Sequence, residues 1–215
     1  MERILHRANT AAQIELGLKH GIDRLEVDVW YKNGDFRLAH DPSVGPLVFG
    51  RNGIVHSEKP WLLLRWGTPY LTLRDLLQQE LPLYIDLKGS WSADQLTNLA
   101  LMLAVHQRTN DIVASLKLDL VVRFSQIAPN QPVFYTVKDE DAYAAFFWTK
   151  DFQDRCNGLT FNAGVWQTRL DHRDLVRNWH YGNKRVFFWN LRPKLQTLHQ
   201  ERKLSDGIII DDPAQ

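Results

Sequence analysis

Two acidic residues separated by a single position, Glu26 and Asp28, interrupt the apolar stretch Leu25–Val29. Side chains alternate between the two faces of a β-strand, so both carboxylates point to one face, about 7 Å apart. Carboxylates at this spacing repel each other unless the face is solvated or a cation lies between them. Hard divalent cations such as Mg²⁺ and Ca²⁺ take oxygen ligands of this kind. The alternative is an ordinary half-exposed edge strand with one polar face.

Other residues suited to chemistry also stand at or just after the ends of predicted strands. They are His6, Arg7, His40, Asp41, Asp86, Lys88, Trp189 and Asn190. Each has a structural explanation when taken singly, since a lone histidine usually packs and Asp86 with Lys88 would form a strand-end ion pair. Parallel strands closed into a barrel would bring these residues to one rim, where such barrels carry their active sites. Together they indicate a site.

The elements that would position these residues alternate between strands and helices. Strands are predicted at 4–7, 25–29, 36–40, 83–88, 111–114, 133–137, 158–162, 185–190 and 207–210. Helices are predicted at 11–20, 73–79, 91–106, 116–127, 139–152, 171–181 and 193–202. About eight strands alternate with helices, which predicts an α/β fold, a (β/α)₈ TIM barrel of parallel strands. The alternative, an open doubly wound sheet, usually has a Gly-rich turn after its first strand, and this chain has none.

The chain is predicted to be a single barrel domain over residues 1–215, with one irregular insertion or lid at 43–69. That stretch contains several glycines and prolines and lacks clear periodicity. It also contains the apolar run Trp61–Leu64, which either packs under the barrel rim or contacts a lipid surface. Rim packing is the favoured interpretation, so contact with a membrane is the less favoured alternative.

Composition narrows the classes of function. The formal net charge of +1 gives no electrostatic indication of nucleic-acid binding. The lone Cys156 excludes internal disulfides and a cysteine-based zinc site. The sequence has no signal-peptide pattern and no run of about 18 apolar residues, so we expect a cytoplasmic protein. The oligomeric state is not predicted.

The rim motifs resemble those of the glycerophosphodiester phosphodiesterase family, within the phospholipase-C-like phosphodiesterase barrels. The resembling segments are His6-Arg7, Gly21-x4-Glu26-x-Asp28-Val29, Leu38-Ala39-His40-Asp41, Leu83–Lys88, Phe187–Asn190 and Asp206–Pro213. The resemblance runs the length of the chain, and its first forty residues are the specific part.

The resemblance implies a metal-dependent phosphodiester hydrolase that cleaves glycerophosphodiesters to glycerol 3-phosphate and an alcohol. It implies that His6 and His40 are the general acid and base, and that Arg7 and Lys88 contact the phosphate. Glu26, Asp28 and Asp86 would hold one divalent cation, Mg²⁺ or Ca²⁺. Asn9, Trp189 and Asn190 are candidate substrate-lining residues, and Trp189 either stacks on the substrate or packs the barrel mouth. The partner would be a small phosphodiester substrate.

The sequence departs from the family pattern at three places. Ala8 replaces the glycine that usually follows His-Arg, and Asp86 replaces a glutamate, so a metal would shift or need a bridging water. The segment 43–69 lacks the sequence of the usual insertion. Alternatives therefore stay open: a related lipid phosphodiesterase or lyase, of the sphingomyelinase D or phosphatidylinositol phospholipase C kind, and a non-catalytic ligand-binding barrel.

Overall fold

The computed structural model describes residues 1–40, 71–163, 184–190 and 205–213, together with the backbone strands at 43–44 and 47–48. Asp41, most of the predicted insertion at 43–69 and the predicted helices at 171–181 and 193–202 lie outside the described residues. In the described part of the chain, no helix is long and apolar enough to cross a membrane.

Eleven strands and six helices are described. The strands are β1 (Glu2–Leu5), β2 (Arg24–Lys32), β3 (Asp35–Leu38), β4 (Ser43–Val44), β5 (Leu47–Val48), β6 (Leu83–Leu87), β7 (Ile112–Ser115), β8 (Val133–Val137), β9 (Gly158–Asn162), β10 (Arg185–Trp189) and β11 (Gly207–Ile210). The helices are α1 (Ala11–Lys19), α2 (Leu73–Leu76), α3 (Ala93–Val105), α4 (Leu118–Ile127), α5 (Glu140–Phe147) and α6 (Lys150–Arg155).

Eight of the strands close into a parallel barrel. The order runs β1-β11-β10-β9-β8-β7-β6-β2, and β2 pairs with β1 to complete the ring. The predicted TIM barrel is confirmed, and the open doubly wound sheet is wrong because the first and last strands are paired in register from Glu2 with Gly207 to Leu5 with Ile210. This closure brings the residues after β1 and after β11 to the same rim.

The third predicted strand, at 36–40, is not a barrel strand. β3 pairs antiparallel with the outer half of β2, and the two are joined by a tight turn in which Asn33 and Gly34 both have positive φ. An Asn-Gly pair adopts this conformation at little cost. The hairpin ends by returning the chain to the barrel, where the Ala39 N–H donates to the Asp28 carbonyl at 3.0 Å.

The apolar residues form two layers, separated by the wall of the barrel. The larger lies between the strands and the surrounding helices and includes Leu25, Val27 and Val29, whose side chains point outward. The smaller fills the barrel interior and comprises Ile4, Tyr84, Ile112, Ala114, Phe134, Phe187 and Ile209. The interpretation of residues 25–29 as a half-exposed edge strand is therefore wrong, because β2 lies between β1 and β6 with both faces buried.

The single helix predicted over 139–152 is also wrong: the chain forms α5 and α6, with a break at Trp148 and Thr149. Phe146 and Phe152 are both fully buried, and their rings lie 5.8 Å apart. Six residues turn an α-helix through about 600°, so one continuous helix would place these rings on widely separated faces. The break allows both to reach the core.

The interior layer predicts a large cost for removing an aromatic ring. Phe134 is fully buried and packs against Phe187 and Tyr84 at ring-centroid distances of 4.8 and 6.1 Å. Phe134→Ala should lower the free energy of unfolding by about 3–5 kcal/mol, measured by urea denaturation. The matched control is Phe147→Ala, at a half-exposed position, which should cost about 1 kcal/mol or less. Equal losses in the two variants would contradict this assignment of the core.

Candidate active site

Three carboxylates meet inside the barrel, above the aromatic layer. Glu26 and Asp28 point inward from β2, and Asp86 points inward from β6, where it is paired in register with Asp28. One carboxylate oxygen from each lies within 4.8 Å of the others, and all three residues are buried. The alternation of β2 and the parallel pairing of β2 with β6 are therefore sufficient to build the cluster.

Lys88 supplies a positive charge to this cluster. Its Nζ lies 2.7 Å from Asp28 Oδ1 and also forms an ion pair with Asp86 Oδ2. The strand-end ion pair between Asp86 and Lys88 is thus present, and it extends to Asp28. Among the residues that the structure describes, the positive charge between Asp28 and Asp86 is the ammonium group of Lys88.

The backbone around Lys88 is tightly constrained. Its N–H donates to the Val29 carbonyl at 2.9 Å, and its carbonyl accepts from Trp91 Nε1 at 2.7 Å. Gly89 follows with a φ of +76°, and a Cβ there would lie 2.6 Å from the Trp30 ring. Only glycine satisfies both conditions, so Trp30 and Gly89 fix the point from which the lysine side chain enters the site.

Burial governs the titration of the three acids. Burial, followed by the charge on Asp28, raises the pKa of Glu26 to about 8. Burial also raises the pKa of Asp86, against the opposing effect of Lys88. Burial would likewise raise the pKa of Asp28, but Lys88 holds that pKa below its usual value. In turn, although burial alone would lower the pKa of Lys88, the surrounding carboxylates raise it.

His6 lies beside the cluster and is paired with an acid from the last strand. Its Nδ1 donates to Asp211 Oδ1 at 2.6 Å, and its Nε2 lies 4.0 Å from Glu26 Oε2. Burial alone would lower the pKa of His6, but the hydrogen bond to Asp211 and the charge that Glu26 carries when it is ionised outweigh burial and raise that pKa. With Nδ1 engaged by Asp211, the Nε2 atom is the one that faces the carboxylates.

Sequence reasoning did not single out Asp211 as a site residue. Asp211 follows β11 directly, and its partner His6 follows β1. The available signal was the acidic run at the end of the last strand, which a closed barrel places at the rim beside the end of the first strand. The hydrogen bond with His6 lowers the pKa of Asp211, so this acid stays ionised beside the imidazole.

The turn after β1 contacts two of the acids. Arg7 has a φ of 55°, and its backbone N–H donates to Glu26 Oε2 at 2.5 Å. The side chain of Asn9 forms two hydrogen bonds with Asp28. Ala8 is fully buried, so the position where the sequence lacks the usual glycine is occupied by a methyl group packed in the core.

The remaining candidates lie around this centre. His40 follows the hairpin, and its charge contributes to lowering the pKa of Asp28. The Trp189 ring lies 6.4 Å from the His6 ring and packs on the interior apolar layer. Asn190 donates to Asn162 Oδ1 at 3.5 Å on the neighbouring strand. The structure therefore assembles His6, Arg7, Asn9, Glu26, Asp28, Asp86 and Lys88 closely, with His40, Trp189 and Asn190 around them.

The donor set fits a hard divalent cation. All three candidate ligands offer carboxylate oxygens, the chemistry that Mg²⁺ and Ca²⁺ prefer. Asp86 Oδ1 is buried and has no hydrogen-bond partner among the described residues. A buried carboxylate oxygen without a donor is unfavourable, and a cation would satisfy it.

The barrel resembles several solved structures at low sequence identity. A glycerophosphodiester phosphodiesterase from Thermotoga maritima is 19% identical with a TM-score of 0.71, and the match covers 99% of this chain and 95% of that one. One from Parabacteroides distasonis is 17% identical with a TM-score of 0.71, over 99% and 93% of the chains. An Oleispira antarctica phosphodiesterase, solved with sn-glycerol-3-phosphate, is 17% identical with a TM-score of 0.71, over 99% and 94%.

No protein-family model matches the sequence. The comparison with curated proteins likewise finds no match. The likeness to the solved structures shows the fold: the chain shares the barrel of the glycerophosphodiester phosphodiesterases.

The raised pKa of Glu26 predicts that this acid destabilises the cation-free fold at neutral and higher pH. From pH 4.5 to about 8 the unfolded chain ionises Glu26 while the folded protein keeps it protonated, so the contribution of Glu26 to the free energy of unfolding falls as pH rises. Glu26→Gln should remove that fall and, in chelator at pH 8, raise the free energy of unfolding by a few kcal/mol. Urea denaturation at pH 5.5 and pH 8 measures the difference.

Asp28→Asn is the matched control with the opposite sign. The pKa of Asp28 is lowered in the fold, so its contribution to stability is present above its unfolded value and is lost as pH falls. This variant should be less stable than wild type at pH 8. If Glu26→Gln kept the wild-type dependence of stability on pH, the buried, protonated state of Glu26 would be wrong.

Proposed function

We propose that this protein is a metal-dependent phosphodiester hydrolase that cleaves glycerophosphodiesters to glycerol 3-phosphate and an alcohol. The observation that carries the proposal is the meeting of the His6–Asp211 pair with three buried carboxylates at the carboxyl-terminal rim of a barrel. Support also comes from the fold, which is shared with glycerophosphodiester phosphodiesterases and with a phosphodiesterase solved in complex with sn-glycerol-3-phosphate.

His6 and His40 are the proposed general acid and base. A phosphodiester reacts when one group removes a proton from the attacking hydroxyl and another protonates the departing alkoxide. Imidazole suits both roles near neutral pH. Asp211 accepts the Nδ1 proton of His6, which fixes the tautomer and leaves Nε2 directed toward the cluster for proton transfer.

Glu26, Asp28 and Asp86 are the proposed ligands of one divalent cation, Mg²⁺ or Ca²⁺. When bound, such a cation would offset negative charge on the phosphoryl oxygens. Arg7 and Lys88 are the proposed contacts to the phosphate, and they supply charge of the same sign. Lys88 is paired with two of the proposed ligands, and because its ammonium has three N–H donors, one donor remains for a phosphate oxygen.

The test is hydrolysis of a panel of glycerophosphodiesters with Mg²⁺, with Ca²⁺ and with chelator, followed by ³¹P NMR. We expect release of a phosphomonoester that depends on the cation. His40→Ala should lower kcat by roughly a hundredfold or more while the cation still binds. Full activity in that variant would show that the role of His40 is wrong. A cyclic phosphate as the end product would instead indicate a lyase.

Asp211→Asn tests the proposed orientation of His6. The amide cannot accept the Nδ1 proton in the same way once its NH₂ group competes for that nitrogen, so the favoured tautomer changes. We expect kcat to fall at least about tenfold with little change in KM. The ¹⁵N chemical shifts of the His6 ring should report the altered tautomer. Unchanged shifts and unchanged kcat would contradict this role.

A further inference from the structure

Asn9, a candidate substrate-lining residue, is buried and makes two hydrogen bonds to a single residue, Asp28. The residue is 4% exposed, and Asp28, with which it pairs, is 0% exposed. Asn9 Nδ2 donates to Asp28 Oδ2 at 2.7 Å, and the Asp28 backbone N–H donates to Asn9 Oδ1 at 2.9 Å. Both ends of the amide are therefore committed to the same residue.

These two hydrogen bonds restrict the rotation of the Asp28 carboxylate. An amide that bridges the backbone and the side chain of one residue fixes the side-chain torsions, because rotation would break the bond to Oδ2. With Oδ2 held by Asn9, the other oxygen, Oδ1, faces Lys88 at 2.7 Å, and Lys88 also contacts Asp86. The oxygen that Asn9 leaves available is thus the one turned toward Lys88, which also contacts Asp86.

Asn9 is itself held from both sides. Its backbone N–H donates to the Arg7 carbonyl at 2.7 Å, and the preceding Ala8 N–H donates to the Glu26 carbonyl at 2.7 Å. The next residue, Thr10, caps α1 through its side chain. The asparagine therefore projects from a turn that β2 and the start of a helix fix in place.

We propose that Asn9 is a positioning residue for the divalent-cation site: it orients Asp28 so that Oδ1 is available to the cation, and so sets the affinity of that site. The proposal rests on the cation site of the proposed function and is independent of the substrate. Partners that orient a metal ligand typically contribute 10- to 100-fold to affinity, by fixing the ligand and tuning its basicity.

The first test measures the binding of Mg²⁺ and Ca²⁺ to the full chain by isothermal titration calorimetry. Asn9→Ser and Asn9→Ala should bind both cations roughly 10- to 100-fold more weakly than wild type. The matched control is Asn157→Ala, which removes a side-chain hydrogen bond to the Val133 N–H at the opposite end of the barrel. That variant should keep the wild-type affinity. Urea denaturation gives the folded fraction of each protein, by which binding is normalised.

A reciprocal exchange separates orientation from folding. Asn9→Asp combined with Asp28→Asn keeps a carboxylate and an amide facing each other. The side-chain hydrogen bond can then form with donor and acceptor exchanged, and the backbone N–H of residue 28 can still donate to the carboxylate at position 9. We expect this double variant to fold and to lose cation binding, because the carboxylate no longer stands at position 28. Retention of cation binding in the double variant would overturn the proposal.

Turnover provides a readout that a merely structural role would not change. In Asn9→Ser, raising the cation concentration should restore kcat toward the wild-type value, because the defect is in affinity. A loss of kcat that persists at saturating cation, or wild-type affinity in both Asn9 variants, would overturn the proposal. The proposal would also be overturned if the wild-type protein bound neither Mg²⁺ nor Ca²⁺. Tight cation binding without hydrolysis of any phosphodiester would contradict only the proposed function.

Discussion

Three carboxylates within 4.8 Å of one another, buried inside a barrel, are the constraint on which the site depends. Repulsion among them and the loss of hydration both oppose this arrangement. The structure offsets it with an ammonium group between Asp28 and Asp86, a backbone N–H on Glu26 and an amide on Asp28. The proton retained by Glu26 removes a further charge, since its pKa is raised to about 8. The ammonium group comes from Lys88 after β6, whereas the backbone N–H of Arg7 and the amide of Asn9 both come from the turn after β1.

The barrel supplies those positions through simple geometry. Parallel register places Asp28 beside Asp86, and alternation places Glu26 on the same inner face. Below them the interior is filled by aromatic and aliphatic side chains, among which the Tyr84 hydroxyl bonds to Thr160 at 2.7 Å. This packed floor keeps the surroundings of the acids weakly polarisable, which strengthens every charge interaction above it. Burial and close spacing of the carboxylates therefore make the cluster unfavourable to fold, and the same two features strengthen its interaction with a charged ligand.

The sequence predicted the barrel and the acid cluster because both follow local rules. Alternation along 25–29 assigns Glu26 and Asp28 to one face, and repeated strand–helix units predict closure. The boundary between α5 and α6 was missed because Phe146 and Phe152 both pack into the core, a tertiary requirement that helix periodicity does not contain. The Asn9–Asp28 pairing was missed for a related reason: it depends on how the turn after β1 folds back onto β2. The positive φ in this turn falls on Arg7 and not on Ala8, the position where the sequence lacks the usual glycine.

The acid cluster and the His6–Asp211 pair depend on contacts between strands that differ in their separation along the sequence. The carboxylates and Lys88 come from β2 and from the β6 region, which are adjacent in the barrel and joined by a direct register. The His6–Asp211 pair instead joins residues 205 positions apart, through the pairing of β1 with β11. Closing the ring is therefore what orients the imidazole, whereas the acid cluster requires only neighbouring strands. A pattern confined to one segment can reveal Glu26 and Asp28. The partner of His6 can be identified only once the first and last strands are known to lie side by side.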